Sequence, residues 1–212
     1  MIEALLWDND GLLVDTESLF FEANREALQE AGILLTYERF ADISLRQGKS
    51  LIDLAYEKGW SRDKVSALRR KRDQIYLDRI QKGVRIMPAI QDALEDLRGR
   101  FRMGIVTNSQ RVHLEAAHAH TDLLSHFEFT VVHGDYLHSK PHPAPYIEGL
   151  KRLGLPADCC LAIEDSERGF QSAIRAGLKC IVIPGGRPAS GEFHGATALL
   201  DSARDLPHLI QG

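Results

Sequence analysis

Apolar residues gather into short runs at residues 2–7, 102–106, 129–132, 159–163 and 179–183, each bounded by turn or polar residues. Runs of that length predict buried strands. Apolar positions recur at helical spacing over residues 89–98, 110–119, 145–153 and 168–176, alternating with those strands. Strand and helix in alternation predict an α/β fold: a parallel sheet with helices on both faces.

Residues 17–84 break the alternation, because helical patterns at 17–31, 37–45, 51–58 and 62–81 follow one another with no strand between them. Such a block cannot sit inside a parallel sheet. It predicts an all-helical unit, residues 16–85, inserted after the first strand of a core formed by 1–15 and 86–212, with linkers near 15–16 and 85–88. No internal repeat or low-complexity segment interrupts this plan.

Composition narrows the class of protein. The chain has 212 residues, 44% of them hydrophobic and 26% charged, enough for a sizeable core. A formal charge of -4 gives no basic field for nucleic acid, and the cluster Arg69-Arg70-Lys71-Arg72 reads as a solvated helix face. The N-terminus carries acids and no cationic lead-in, and no apolar run approaches membrane-spanning length. The expectation is a cytoplasmic protein, monomeric or weakly dimeric, with neither nucleic-acid nor membrane partner. Cys159, Cys160 and Cys180 lie in strand-like apolar surroundings and read as reduced, buried thiols. Seven of nine histidines fall between His113 and His142. His118 and His120 diverge on a helix, so a shared metal is not expected, and surface or loop positions are expected for all nine.

Chemistry is sought at the carboxyl ends of the strands, which line one crevice in this architecture. The first strand ends in Asp8-Asn9-Asp10-Gly11, a pair of carboxylates with a glycine to turn the chain; alone it reads equally as a D-G turn. The second ends in Thr107-Asn108-Ser109, suited to phosphoryl oxygens or to capping a helix. Lys140 follows the third, fixed among Pro141, Pro143 and Pro145, against the alternative of a surface lysine. The fourth runs into Glu164-Asp165-Ser166, with Gly169 beyond, where the acids could instead cap the next helix. Together, an acid pair, hydroxyls, a lysine and a second acid pair compose a phosphoryl-transfer site. Its carboxylates suit Mg2+, and the metal and Lys140 would offset the repulsion among acids and phosphate.

The segments WDNDGLLVDTES, GIVTNSQ, SKPHPAPY and AIEDSERGFQSAIRAG, in that order, resemble the motifs of the haloacid dehalogenase superfamily, in its branch of small phosphatases and beta-phosphoglucomutase-like proteins. The resemblance spans the chain and implies a Rossmann-like core with a helical cap after the first strand. It implies that Asp8 attacks phosphorus to form an aspartyl phosphate, while Asp10 protonates the leaving alkoxide and then activates water. Thr107 and the Asn108 backbone N–H would hold phosphoryl oxygens, and Lys140 would neutralise charge. Mg2+ would sit among Asp8, the Asp10 carbonyl and Asp165, with Glu164 as ligand or support. The implied activity is Mg2+-dependent hydrolysis of a small phosphate ester, such as a sugar phosphate or a phosphoglycolate-like acid.

Asp10 argues against dehalogenation, which has no alkoxide to protonate. Beta-phosphoglucomutase chemistry is the alternative, since Thr16 and Gly48-Lys49-Ser50 resemble mutase positions, but Leu51 and Phe20 stand where mutases show arginine and histidine. A catalytically weak metabolite-binding member is the second alternative. Residues 44–50, with Arg46, Gln47 and Lys49 around Gly48, are the expected specificity loop, whose cations would meet a distal anionic group or remain solvated. Phe20 and Phe21 would line an apolar wall or pack their helix. Asn9 should point away from the site toward a buried partner or water, and Ala144 stands where an aspartate is common, weakening a helix cap.

Overall fold

Four consecutive apolar residues form the central strand, β1 (Ala4–Trp7), and every one of them is fully buried. Burial on both faces is what a parallel sheet covered by helices requires. The computed structural model describes residues 1–184 and 192–210. It places β1 among β2 (Arg102–Gln110), β3 (Phe129–His133), β4 (Cys160–Glu164), β5 (Lys179–Val182) and β6 (Ala198–Leu199) in the order β3-β2-β1-β4-β5-β6, all parallel. The order reverses at β1, so a crevice opens at its carboxyl end.

The helices between β1 and β2 begin with α1 (Glu17–Gln29), α2 (Tyr37–Phe40), α3 (Leu54–Glu57) and α4 (Arg62–Ile80). They enclose their own apolar core, in which Leu28, Phe40, Leu51, Ile52 and Leu68 meet. The two linkers run side by side: the Asp15 amide donates to the Arg85 carbonyl at 2.9 Å, and the Met87 amide to the Leu13 carbonyl at 3.0 Å. Arg85 also pairs with Asp15 at 2.7 Å.

The remaining helices are α5 (Ile90–Leu97), α6 (Arg111–His118), α7 (Ala144–Leu153), α8 (Glu167–Arg175) and α9 (Leu206–Leu209). Strand alternation divides the sheet between them. Leu5, Trp7, Ile105 and Ile163 pack with α5 and α6 on one face. Ala4, Leu6, Val106 and Ala162 pack with α7 and α8 on the other.

Several local expectations need correction. The pattern at 37–45 predicts one helix, but α2 gives way to a π-helical segment, Ala41–Arg46, closed by Gly48 at φ 65°. Asp42 accepts from the Arg46 and Gln47 side chains and from the Gln47 amide, which widens that turn. Strand β2 continues through residues 107–110, and β6 has too few residues to show a period. Arg72 is not on a solvated face. It falls on the buried stripe Val65-Leu68-Arg72-Tyr76 of α4, where its guanidinium lies 4.8 Å from the Phe20 ring centroid and donates to Asn24 Oδ1 at 2.9 Å. Cys159 is half-exposed in a 3₁₀ turn, whereas Cys160 and Cys180 are buried, and all three are free thiols.

His118 is likewise no surface residue, being only 4% exposed beneath the loop that follows β1. Its Nε2 lies 2.7 Å from Asn9 Oδ1 and its Nδ1 lies 2.9 Å from the Thr121 hydroxyl. Since Asn9 Oδ1 only accepts, the imidazole carries its proton on Nε2. Burial lowers the His118 pKa to about 4, against the opposing charge of Asp10. Below pH 6.5 the unfolded chain therefore takes up a proton that the folded one refuses, and stability falls with pH. The His118 contribution to the loss from pH 7 to pH 5 should be about 2 kcal/mol, opposed in the wild type by Asp8, whose raised pKa stabilises the fold as pH falls. Urea midpoints of wild type and His118→Gln at the two pH values isolate it: the variant should gain about 2 kcal/mol relative to wild type as pH falls, and a difference between the two proteins that does not change with pH would exclude His118 as its source.

Candidate active site

Four strand ends contribute to the crevice beside β1. Asp8 leaves β1 with its amide bonded to the Ile163 carbonyl at 2.9 Å, which fixes it beside the end of β4. Lys140 reaches in from the loop after β3, and its Nζ donates to Asp8 Oδ1 at 2.7 Å, Glu164 Oε1 at 2.6 Å and the Val106 carbonyl at 2.7 Å. The lysine is 5% exposed and Glu164 is not exposed at all. Tyr146 from α7 donates to the same Glu164 oxygen at 2.6 Å. Burial alone would lower the Lys140 pKa, but the Asp8 and Glu164 charges and hydrogen bonds outweigh it and raise it.

Asp10 has a different environment. Three hydroxyls donate to its carboxylate: Thr16 at 2.6 Å, Thr107 at 2.9 Å and Ser109 at 2.8 Å. Thr16 precedes α1 yet makes no cap bond, because its hydroxyl is committed to Asp10. Asp8 thus faces a cation while Asp10, two residues on, faces neutral donors.

The alternative structural uses of these segments are taken by other residues. Ser166 caps α8, accepting from the Gly169 amide at 3.2 Å, which leaves Glu164 and Asp165 to the crevice. No side chain caps α6 at Gln110. Ala144 leaves α7 without a side-chain cap from Pro143, and His142 Nδ1 accepts the Ala144 amide at 3.1 Å instead. The Asn108 side chain clamps the lysine loop, accepting from the Lys140 amide at 3.0 Å and from the Tyr136 hydroxyl at 3.1 Å. Asn9 does turn away from the crevice to His118.

Asp8, Glu164 and Asp165 each offer a carboxylate oxygen within 4.8 Å of the others. Burial, then the Glu164 charge, push Asp8 up to about 7 although Lys140 opposes them. Asp165 is raised well above the ordinary carboxylate range by burial and by the Asp8 and Glu164 charges. Glu164 Oε2 is buried with no hydrogen-bond partner. Glycines make room for this crowding: a Cβ at Gly169 would fall on the Glu164 carboxylate, and one at Gly11, at φ 88°, would fall on that of Asp165. Three oxygen donors balanced by one lysine, with one donor unsatisfied, fit a hard divalent cation.

A cavity of about 790 Å³ lies above these groups. Asp8, Asp10, Thr107, Lys140 and Asp165 line its floor, while Phe20, Gly48, Lys49 and Tyr76 line it from the helical insertion. Arg46 also borders it but is ion-paired with Asp42, and Lys49 is exposed on its loop. Thr16 is buried, bonded to Asp10. Sequence reasoning placed Ser109 in a cluster suited to phosphoryl oxygens or a helix cap, not against Asp10, and gave no role to Tyr146, His118 or Arg168. Ser109 and Arg168 stand inside quoted motifs, so position could have pointed to them; Tyr146 and His118 are set by tertiary contacts alone.

The doubly wound sheet and its convergent acids, hydroxyls and lysine define a hydrolase of the phosphatase class. The chain belongs to the haloacid dehalogenase-like hydrolases, whose family profile matches residues 5–183. It is 30% identical over 221 residues to protein CbbY of Cereibacter sphaeroides, covering 97% of this chain and 94% of that one. It is 29% identical to the fructose-1-phosphate phosphatase YqaB of Escherichia coli, over 84% of this chain and 94% of YqaB. The crystal structure of CbbY from Rhodobacter sphaeroides in complex with xylulose-1,5-bisphosphate superposes with a TM-score of 0.82 at 26% identity, covering 97% and 96% of the two chains. No helix among the described residues is long and apolar enough to cross a membrane.

Proposed function

We propose that this enzyme is a Mg2+-dependent phosphatase of a small phosphorylated metabolite, a sugar phosphate or phosphoglycolate-like acid, acting through an aspartyl phosphate on Asp8. The observation that carries the reading is the convergence on one crevice of Asp8 beside Lys140, of Asp10, and of the Glu164 and Asp165 carboxylates that could hold a metal. Asp8, beside Lys140, attacks phosphorus as the ester P–O bond breaks. Asp10 enters this step protonated, one of its hydroxyl partners turning from donor to acceptor, and gives its proton to the departing alkoxide. Asp10 then takes a proton from the water that attacks phosphorus, and the bond to Asp8 breaks. With substrate bound, the Thr107 hydroxyl turns from Asp10 to a phosphoryl oxygen beside the Asn108 backbone N–H, while Lys140 neutralises charge. Asp8, the Asp10 carbonyl and Asp165, with Glu164 as ligand or support, would hold Mg2+, which supplies charge neutralisation for the phosphoryl group.

Residues 16–85 act in this reading as a cap hinged at the paired linkers, and its closure excludes water. Its 44–50 loop, with Arg46, Gly48 and Lys49, meets the part of the substrate that is not transferred. Phosphorylated sugars are favoured because one relative is a fructose-1-phosphate phosphatase and a structural neighbour holds xylulose-1,5-bisphosphate. Mutase chemistry has less support: Leu51 is 1% exposed in the cap core, and Phe20 packs under the Arg72 guanidinium and edge to face with Tyr76.

A panel of phosphate monoesters, assayed for free phosphate with Mg2+ or with EDTA, tests the reading. Release should fall by on the order of 100-fold in EDTA and return with added Mg2+. Metal-independent turnover would sink it, and glucose 6-phosphate formed from beta-glucose 1-phosphate faster than free phosphate would favour the mutase.

A further inference from the structure

Arg168 lies in the first turn of α8, between the acid pair of β4 and Gly169, and its guanidinium bridges two lobes of the molecule. Its Nη2 donates at 2.8 Å to the carbonyl of Lys140, on the loop that carries the catalytic lysine. Its Nη1 donates at 3.1 Å to the carbonyl of Ser44, at the start of the cap loop. Gly48, at φ 65°, lies against the same group. A Cβ there would come within 2.7 Å of Arg168 Cζ, 2.9 Å of Nε and 3.0 Å of Nη2, so a side chain would lift the loop away.

The charge of Arg168 distinguishes it from the other arginines that line the cavity. Arg46 is paired with Asp42 and Arg72 with Asp73. Arg168 forms no ion pair with a carboxylate among the described residues: its side-chain bonds go to the Ser44 and Lys140 carbonyls, and its Nε is buried with no partner. A partly buried guanidinium hydrogen-bonded to main-chain carbonyls, with the Asp8 and Glu164 charges near it but not bonded to it, is an adjustable contact. When the cap lifts, water can replace the Ser44 carbonyl at modest cost, whereas a buried ion pair would resist separation.

We propose that Arg168 is a positioning residue that latches the 44–50 loop of the cap onto the loop bearing Lys140, and so sets how readily the closed, substrate-binding state forms. The kinetic part of this proposal rests on the phosphatase reading; the conformational part does not. Loss of a charge-assisted hydrogen bond shifts an equilibrium by on the order of 10- to 100-fold. In Arg168→Ala the closed population falls by that factor and KM rises with it, while kcat stays within about threefold because saturating substrate restores closure.

Hydrogen–deuterium exchange on the full-length, Mg2+-loaded protein reads the latch without turnover. In Arg168→Ala, exchange over residues 44–50 should rise about tenfold or more while β1 and β4 keep their protection. Kinetics with p-nitrophenyl phosphate should show the rise in KM. Gly48→Ala, made from the cap side, should raise exchange in the same loop, and should cost less in the Arg168→Ala background, where its Cβ has no guanidinium to meet. Unchanged exchange over 44–50 in Arg168→Ala overturns the latch. So does a fall in kcat at constant KM, or strict additivity of the two substitutions. Raised loop exchange in a protein that hydrolyses no ester upholds the latch and defeats the phosphatase reading instead.

Discussion

Asp8→Asn is expected to reduce phosphate release by at least about 10⁴-fold while leaving the protein folded. Asparagine keeps the shape of the side chain but has no carboxylate to attack phosphorus. Its effect on stability should be small or favourable. Asp8 is crowded by burial and by the Glu164 charge, which together push its pKa up to about 7, so removing its charge relieves repulsion, while the amide oxygen can still accept from Lys140. Lys140 keeps Glu164 and the Val106 carbonyl as partners. A second variant separates the two half-reactions. Asp10→Ala removes the base for the attacking water, so with an ester whose leaving group needs no protonation the phosphorylated enzyme should accumulate. Acid-quenched peptides then locate the phosphoryl group, which should lie on Asp8 in this variant and on no peptide in Asp8→Asn. Turnover within about 100-fold of wild type in Asp8→Asn would defeat covalent catalysis by this residue.

The parts of this molecule legible in the sequence are those governed by local chemistry. Apolar runs marked β1 through β5 because a doubly covered sheet needs strands apolar on both faces. Asp8, Asp10, Lys140, Glu164 and Asp165 stood out because acids and a lysine at strand ends are costly without partners. The illegible parts depend on contacts between distant segments. Arg72 read as one charge in a basic cluster, since nothing local says that α4 turns this position toward Phe20 and Asn24. His118 read as a surface histidine, since Asn9 lies 109 residues away in sequence. Ser109 was visible in its motif, but only the extension of β2 past Val106 brings its hydroxyl to Asp10.

The arrangement also separates what makes the site from what makes the fold. Asp10 takes its neutral donors from a linker, Thr16, and from β2, Thr107 and Ser109. A linker residue bonded to the proposed acid/base joins the proposed hinge directly to the chemistry. Asp8 is tied instead to a lysine that also bonds Glu164 and the Val106 carbonyl of β2. Substitutions around Asp10 should therefore act mainly on rate, whereas those at the lysine act on rate and stability together.

Lys140→Met is expected to show both effects. Methionine keeps most of the apolar stem, so the loss is that of the charge and its three hydrogen bonds. Without the ammonium, Asp8 and Glu164 face each other in a buried site and the Val106 carbonyl loses its donor. Breaking a buried pair by removing one partner costs about 3–5 kcal/mol, and the lower end applies here because Asp8 can take up a proton. Turnover should fall by on the order of 10²- to 10³-fold as phosphoryl charge goes unanswered. The sign of the pH dependence follows from Asp8. Lys140 now lowers its pKa, so removal of the lysine raises that pKa further above the unfolded value of 3.8. The folded variant then binds a proton that its unfolded chain does not, and it gains stability relative to wild type as pH falls through the folded pKa. Urea denaturation in EDTA at pH 8 and pH 5.5 should show the gap between variant and wild type narrowing at the lower pH. A gap that is constant or wider there would mean that the penalty comes from lost packing and not from the uncompensated carboxylates.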